Sequence, residues 1–187
     1  MPPSYQFLLD SALALQQQGE NKLPPVESWH PPLSGDMPLL IRRDGQWLHE
    51  GVVIEREALV RLFASILKRE GDEYFLVTPV EKWRIQVEEV PFQVTSLEVL
   101  AQGTPEQALV FTTNTGDKVA ASADSPLRVV SDPDSGEPSP YLRVRRNLEG
   151  KLTRAVFYQL AALVQPGAMA NEKRLGVISR GVFFALE

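Results

Sequence analysis

The sequence predicts an α+β protein made of two tandem, related domains, and three observations lead to this fold class. Short segments of alternating apolar and polar residues, separated by turn residues, are typical of β-strands. Apolar residues recur at i, i+3 and i+4 in longer segments, which predicts helices packed on sheets. The order strand, turn, helix, strand occurs in both halves of the 187-residue chain, which favours a duplication.

Residues 1–38 are expected to form a helix and a proline-rich segment that pack on the body of the protein. Ser4 is suited to cap the helix and Gly19 to end it. Five prolines lie between residues 23 and 38. Because proline fixes φ and lacks an N–H donor, this segment is predicted to be an extended coil, with Trp29 as its anchor.

The first domain is predicted over residues 39–88. A strand at 39–43 turns at Asp44-Gly45 into a return strand at 46–53. The next helix is expected to end at Gly71, with Lys68 and Arg69 near the negative end of its dipole. Its apolar face consists of Leu59, Leu62, Phe63, Ile66 and Leu67. Strands at 74–77 and 82–87 complete this domain.

The second domain, residues 89–187, is expected to be a β-meander or partial barrel with one helix. Its first strands are predicted at 92–100, 108–113, 118–121 and 127–130. A turn is expected at 114–117 and an exposed loop at 132–136. That loop faintly resembles a calcium-binding loop, but it has too few oxygen ligands, so we interpret it as an ordinary loop.

The later part of this domain is the segment that repeats the first. Residues 141–147 match residues 39–44, and the match places Arg145 at the position of Arg42. A helix follows and is expected to stop at Pro166-Gly167. Its apolar face consists of Leu152, Val156, Leu160 and Leu163. The last strands are predicted at 175–179 and 182–186.

Composition excludes several classes of function. The chain has no cysteine and two histidines, so thiolate metal sites, disulfides and most histidine-based triads are not expected. Its net charge of −5 argues against DNA and anionic membranes as partners. No apolar stretch reaches the roughly 20 residues of a membrane helix, and the N-terminal segment is a poor signal peptide. We therefore expect a cytoplasmic protein with no bound metal and no required cofactor.

Four segments carry a resemblance to a known family. They are residues 59–64 (LVRLFA), 74–85 (YFLVTPVEKWRI), 87–92 (VEEVPF) and 141–148 (YLRVRRNL). From the proline-rich segment onward the chain resembles a bacterial family known as domain of unknown function 1285 (DUF1285). The resemblance implies two tandem domains, the second similar to pleckstrin-homology folds. It also implies a nucleotide-like ligand at a surface between the domains and a role in signal transduction.

Seven residues are candidates for binding such a ligand. Strand alternation directs Arg42, Arg143 and Arg145 away from the core, and guanidinium groups bind phosphate through paired donors. Surface salt bridges are the alternative role for each arginine. The other candidates are Lys82, Trp83, Tyr141 and Thr78. Lys82 beside Trp83 offers a charge and a stacking surface together, although a strand tryptophan is more often a core residue. Thr78 is suited either to a ligand or to capping the turn at Pro79.

Two other functions stay open. The protein would act as an interaction module without a small ligand if its exposed sheet edges or the loop after Asp132 bound a protein partner. As an enzyme it would depend on carboxylates such as Glu73, Glu81 and Glu88 or on the pair His49-Glu50. No nucleophile or oxyanion site accompanies these groups in the sequence. We therefore predict a non-enzymatic, ligand-binding regulatory protein.

Overall fold

A computed structural model describes residues 5–18 and 22–187, which divide into two compact units at Glu89/Val90. Both units combine mostly antiparallel sheet with helix, so the predicted α+β class and the tandem arrangement are confirmed. No helix of the described residues is long and apolar enough to cross a membrane.

The first unit contains one six-stranded sheet in the order β3-β2-β1-β6-β5-β4. Strands β1 and β6 pair in parallel, and the other neighbours are antiparallel. Its elements are α1 (Tyr5–Gln18), a 3₁₀ turn (Val26–Ser28), β1 (Leu33–Ile41), β2 (Trp47–His49), β3 (Val52–Val53), α2 (Glu57–Ser65), β4 (Leu67–Glu70), β5 (Glu73–Val77) and β6 (Lys82–Val87).

Helices α1 and α2 pack together in this unit. The apolar face of α2 buries Leu62 and Phe63, and the ring of Phe63 stacks on Trp47 with 6.4 Å between centroids. Helix α1 buries Leu8 and Ala12, one helical turn apart. The predicted N-terminal helix is therefore confirmed, whereas its proposed cap Ser4 and stop Gly19 lie outside the described residues.

The proline-rich segment is only partly the coil that was expected. Strand β1 begins at Leu33 and pairs in parallel with β6, with register shifts near Gly35 and between Asp36 and Leu40. Extended backbone suits a strand as well as a coil, and the missing N–H of Pro38 is tolerated beside such an irregularity. The buried anchor of the segment is Val26, while Trp29 is only half-buried.

Two element boundaries in this unit differ from the prediction. The return strand breaks at Glu50-Gly51, where both residues have positive φ and close a two-residue hairpin between β2 and β3. Helix α2 stops at Ser65, and Leu67 begins β4. Gly71 is therefore a hairpin residue (φ +60°) and not a helix cap. The apolar pair Ile66-Leu67 fits a helix face and a buried strand equally well, which explains the error.

The second unit contains a six-stranded sheet in the order β10-β11-β12-β7-β8-β9 and a three-stranded sheet in the order β13-β14-β15. Its elements are β7 (Phe92–Leu100), β8 (Ala108–Thr113), β9 (Lys118–Ala120), β10 (Leu127–Ser131), β11 (Pro138–Arg145), β12 (Leu148–Leu152), α3 (Arg154–Ala161), β13 (Gln165–Met169), β14 (Glu172–Ser179) and β15 (Val182–Ala185). The core between them includes Phe111, Leu142, Leu160 and Val177.

The predicted meander strands are confirmed, and the helix boundaries need correction. Leu152 ends β12 rather than lying on the helix, because Thr153 caps α3 by accepting a hydrogen bond from the Val156 amide at 3.4 Å. Pro166 and Gly167 lie inside β13 and do not stop the helix. Proline is tolerated there because β13 is an edge strand.

The repeated order of elements is visible, but the two units pair their strands differently. In the first unit the strand before the hairpin, β1, pairs in parallel with β6. In the second unit the strand after the corresponding hairpin, β12, pairs in parallel with β7. The last three strands of the second unit form a sheet of their own. The similarity between the two halves is therefore limited to the order of elements along the chain, and it does not extend to how the strands pair.

Candidate functional site

One face of the larger sheet in the second unit gathers cationic and aromatic side chains. The strand register places Arg128 opposite Tyr141 and Tyr141 opposite Lys151, across β10, β11 and β12. Leu127, Leu142 and Leu152, one residue away in each strand, are buried. Because neighbouring strand residues point to opposite faces, the first three side chains share the face directed away from the core.

We call this surface the Tyr141 face and define it as Arg128, Tyr141, Arg143, Glu149 and Lys151. The guanidinium carbon of Arg128 lies 4.4 Å from the centroid of the Tyr141 ring. Its Nε and Nη2 donate to the two carboxylate oxygens of Glu149, each at 2.7 Å. This paired hydrogen bond raises the pKa of Arg128. Arg128 is therefore held in place and orients the ring beneath it.

Arg143 differs from the other cations of this face. It lies two residues after Tyr141 on β11, opposite Glu149, and it is exposed. Its backbone amide donates to the carbonyl of Pro126 at 3.1 Å. Among the described residues, its side chain has neither a hydrogen-bond nor an ion-pair partner. The face carries three cations and one carboxylate in a chain whose net charge is −5, so it is suited to an anion.

Arg128 also lines a cavity of about 650 Å³ beside this face. The cavity lies between β10 and the sheet formed by β13, β14 and β15, and Phe183 and Leu127 contribute to its wall. Its volume is within the range of small-molecule sites. Arg128, Lys151 and Phe183 were not among the residues that the sequence indicated. Strand alternation along 127–130 was a signal for Arg128, but no local pattern shows that β10 and β15 meet.

Arg145 is placed differently from Arg143, although both were expected to face a ligand. A register shift between these two residues changes the direction of the strand end. Arg145 forms an ion pair with Asp117 and lies over the Phe92 ring, 4.9 Å from its centroid. Burial lowers the pKa of Arg145, and the charge of Asp117 opposes that shift. The contact with Asp117 gives Arg145 a structural role, and ligand binding by this residue stays a prediction.

Arg42 lies in the hairpin turn after β1 and is exposed. It belongs to the first unit, whereas Arg143, Arg145 and Tyr141 belong to the second. The convergence of Arg42 and Arg145 on one ligand stays a prediction.

Lys82 and Trp83 do not form one surface. They are neighbours on β6 and therefore point to opposite faces of the sheet. The Lys82 ammonium donates to Glu70 at 2.8 Å and lies 4.6 Å from the centroid of the Phe75 ring. Trp83 packs over Gly35, where an added Cβ would come within 3.0 Å of the indole ring. The expected combination of charge and stacking surface is wrong for this pair.

Thr78 and Glu81 belong to the turn between β5 and β6. Thr78 is fully buried, and its hydroxyl accepts a hydrogen bond from the Glu81 amide at 3.1 Å. This contact gives Thr78 the turn-capping role. Glu81 is half-buried, and burial raises the pKa of its carboxyl despite a hydrogen bond from Trp83.

The other acidic candidates also have partners. Glu73 lies 2.8 Å from Nε of Arg84, and the Glu88 carboxylate accepts from the Arg43 amide at 2.7 Å. Across residues 5–18 and 22–187, no three histidine, aspartate or glutamate side chains are grouped to hold a metal ion. The carboxylate of Asp132 accepts hydrogen bonds from the backbone amides of Ser135 and Asp134, at 2.8 and 2.9 Å. These hydrogen bonds lower the pKa of Asp132.

Fold and site together define a two-domain α+β protein with a cationic, aromatic sheet face in its second domain. Its sequence matches two family models, "Domain of unknown function (DUF1285), N-terminal domain" over residues 24–90 and "Protein of unknown function (DUF1285), C-terminal domain" over residues 91–186. The chain belongs to the DUF1285 family, which confirms the resemblance found in the sequence.

Two solved structures resemble this one. A DUF1285 family protein from Silicibacter pomeroyi is 44% identical, with 96% of this chain and 93% of that chain covered and a TM-score of 0.84. A DUF1285 family protein from Shewanella baltica is 33% identical, with 67% of this chain and 91% of that chain covered and a TM-score of 0.54. Comparison with curated proteins found no match.

Proposed function

We propose that this protein is a non-enzymatic regulatory protein that binds a nucleotide-like, phosphorylated small molecule on the Tyr141 face. The observation that carries the proposal is Arg143, an exposed guanidinium without a side-chain partner among the described residues, beside Tyr141 and Lys151. A guanidinium binds phosphate through two parallel hydrogen bonds, and an ammonium adds a second charge. Tyr141 supplies an aromatic ring whose centroid lies 5.8 Å from the Lys151 ammonium.

The charge balance favours a phosphorylated ligand over a neutral one. Arg128 pairs with Glu149, and the three cations and one carboxylate of the face leave it with a net positive charge. A nucleoside diphosphate has several negative charges and a planar base, which match these two features. A site between the two domains, a likeness of the second domain to pleckstrin-homology folds and a cytoplasmic location stay predictions.

The test is a thermal-shift screen of the full chain against nucleotides, dinucleotide cofactors and nucleotide second messengers, with calorimetry on each hit. A ligand at a hundredfold excess over its Kd stabilises the folded state by about 2.7 kcal/mol, which such a screen detects. We expect at least one phosphorylated compound to raise the melting temperature. A flat response across the whole panel would contradict the proposal.

A matched pair of variants locates the site. Arg143→Gln removes the exposed guanidinium, and we expect binding to weaken by about tenfold or more because a charge-assisted hydrogen bond contributes about 1.5–3 kcal/mol. Arg56→Gln makes the same charge change at an exposed position of the first unit and should bind as the wild type does. Equal weakening in both variants would indicate a nonspecific charge effect and remove the Tyr141 face as the site.

A further inference from the structure

Two free sheet edges border the same cavity in the second unit. β10 is one of the two edge strands of the six-stranded sheet, and β15 is one of the two edge strands of the three-stranded sheet. Residues of both strands line the cavity of about 650 Å³. No backbone hydrogen bond joins β10 to β15 in the part of the chain that the structure describes. We call this cavity, with the edges of β10 and β15, the edge groove.

Hydrogen-bond register shows which main-chain groups of β10 point into the edge groove. Bonds from Arg143 to the Pro126 carbonyl and from Asp132 to the Glu137 carbonyl mark bonded pairs at both ends of the β10–β11 ladder. Bonded and non-bonded pairs alternate in an antiparallel ladder. The N–H and C=O groups of Leu127, Val129 and Ser131 therefore point away from β11, and these three residues line the cavity.

The same reasoning applies to β15. A bond from the Leu186 amide to the Leu175 carbonyl marks a bonded pair of the β14–β15 ladder. Alternation then directs the main-chain groups of Phe183 and Ala185 away from β14, and both residues line the cavity. Within residues 5–18 and 22–187, both edges of the edge groove thus present main-chain donors and acceptors that no other strand pairs. A strand added to either edge completes this pattern.

The remaining sheet edges are less suited to pairing with another chain. β3 has two residues and β9 has three, one of which is Lys118. β4 carries Lys68 and Arg69, and β13 contains Pro166. Short strands, charges and prolines are the usual protections of an edge. β10 has five residues without lysine or proline, and its Arg128 side chain is held on the Tyr141 face by Glu149.

The side chains of the groove favour a mostly apolar occupant. The ring of Phe183 lies against two glycines, since a Cβ on Gly167 would come within 2.2 Å of that ring and one on Gly176 within 2.7 Å. Arg174, which also lines the groove, donates to Glu172 at 2.8 Å and to the Glu187 carbonyl at 3.0 Å. Three charged residues of the lining, Arg128, Glu172 and Arg174, are therefore paired, unlike Arg143 on the Tyr141 face.

We propose that the edge groove binds an extended, mostly apolar peptide segment of a partner protein by β-strand addition. Main-chain hydrogen bonds to β10 or β15 provide the affinity, and side chains at alternate positions of the peptide enter the apolar wall. The four to five residues of these strands define the length of peptide that pairs. This site takes a different class of partner from the Tyr141 face and stands independently of nucleotide binding.

The probe is a synthetic peptide selected from a displayed random heptapeptide library against the purified full chain. We expect the peptide to carry alternating apolar residues. It should slow hydrogen exchange at the amides of Val129 and Ser131 if it pairs with β10, or at those of Phe183 and Ala185 if it pairs with β15. N-methylation of alternate peptide amides removes main-chain donors without changing the side chains. It should weaken binding by about tenfold or more if strand addition provides the affinity.

Protein variants give a second measurement. Val129→Pro removes an outward-pointing N–H while preserving the ladder with β11, so it should weaken peptide binding without unfolding the sheet. Val130→Ala changes an exposed side chain whose main-chain groups pair with β11, and it should leave binding unchanged. If Val129→Pro fails to fold, binding of the N-methylated peptide to the wild-type chain is the measurement that tests whether main-chain hydrogen bonds provide the affinity.

Four outcomes would overturn the proposal. The first three are failure to select any peptide, affinity that N-methylation does not change, and exchange protection at other strands. The fourth outcome is that the chain dimerises in the absence of peptide and the same amides then exchange slowly. The groove would in that case bind a second copy of the chain, and the proposal would be wrong.

Discussion

Arg145 and Asp117 form a largely buried ion pair that ties the end of β11 to the turn before β9. Their side chains are 11% and 19% exposed. The second carboxylate oxygen of Asp117 accepts hydrogen bonds from the hydroxyls of Thr113 and Thr115, at 3.1 and 2.7 Å. Arg145 and Arg42 occupy matching positions in the sequence, but their environments differ. Arg145 is largely buried and paired with Asp117, whereas Arg42 is exposed.

We predict that Asp117→Asn destabilises the protein strongly. The substitution keeps the size of the side chain but removes the negative charge beside the largely buried Arg145, which costs about 3–5 kcal/mol. Urea unfolding monitored by fluorescence measures this change. Glu57→Gln, which breaks the exposed pair with Arg61, is the control and should cost less than about 0.5 kcal/mol. Similar losses of unfolding free energy in the two variants would show that the buried pair stabilises the protein no more than the exposed pair does.

Ser179 provides a second test of buried polar contacts. Its hydroxyl donates to the Ala121 carbonyl at 2.7 Å and accepts from the Leu109 amide at 2.9 Å, which joins β14 to the large sheet. Ser179→Ala leaves both backbone groups unsatisfied, so we expect a loss of about 1–3 kcal/mol in unfolding free energy. Ser96→Ala, at an exposed strand position, should change stability little. A loss no larger than that of the control would contradict the assigned role of the hydroxyl.

Glu81 is expected to make stability fall as the pH rises. Burial raises the pKa of its carboxyl in the folded state above the ordinary value of 4.5. The folded state then holds the proton more tightly than the unfolded state, so this contribution is present below pH 4.5 and is lost as the pH rises through the folded pKa. Glu81→Gln should be more stable than the wild type at pH 7 and equal to it in acid. A variant that is less stable at pH 7 would contradict this.

Glu70 should show the opposite pH dependence. The hydrogen bond from Lys82, together with that from Lys68, lowers the pKa of Glu70 below its ordinary value of 4.5. Its contribution to stability is therefore present above pH 4.5 and is lost as the pH falls through the lowered pKa. Glu70→Gln should be less stable than the wild type at pH 7, and the difference should close in acid. Glu106→Gln, at an exposed position, is the matched control. If Glu70→Gln loses the same amount of unfolding free energy at every pH, the charge of Glu70 is not the cause of its contribution to stability.

Local patterns in the sequence predicted much of the fold but little of the site. Asp44-Gly45 and the alternating meander segments predict turns and strands because those signals lie within a few residues. The shared face of Arg128, Tyr141 and Lys151 depends on the register of three strands, and no single segment contains that information. Lys82 and Trp83 show the opposite case. They are adjacent in the sequence and were expected to act together, but neighbouring residues on a strand point to opposite faces of the sheet.

The most direct test of the ligand site is an NMR titration of the ¹⁵N-labelled full chain with adenosine diphosphate, following backbone amides and arginine Nε signals. We predict saturable shifts of the Arg143 Nε signal and of amides in β10, β11 and β12, and loss of those shifts in Arg143→Gln. Shifts confined to Arg42 and its hairpin, or no movement across the titration, would contradict the assignment of the Tyr141 face as a nucleotide-binding surface.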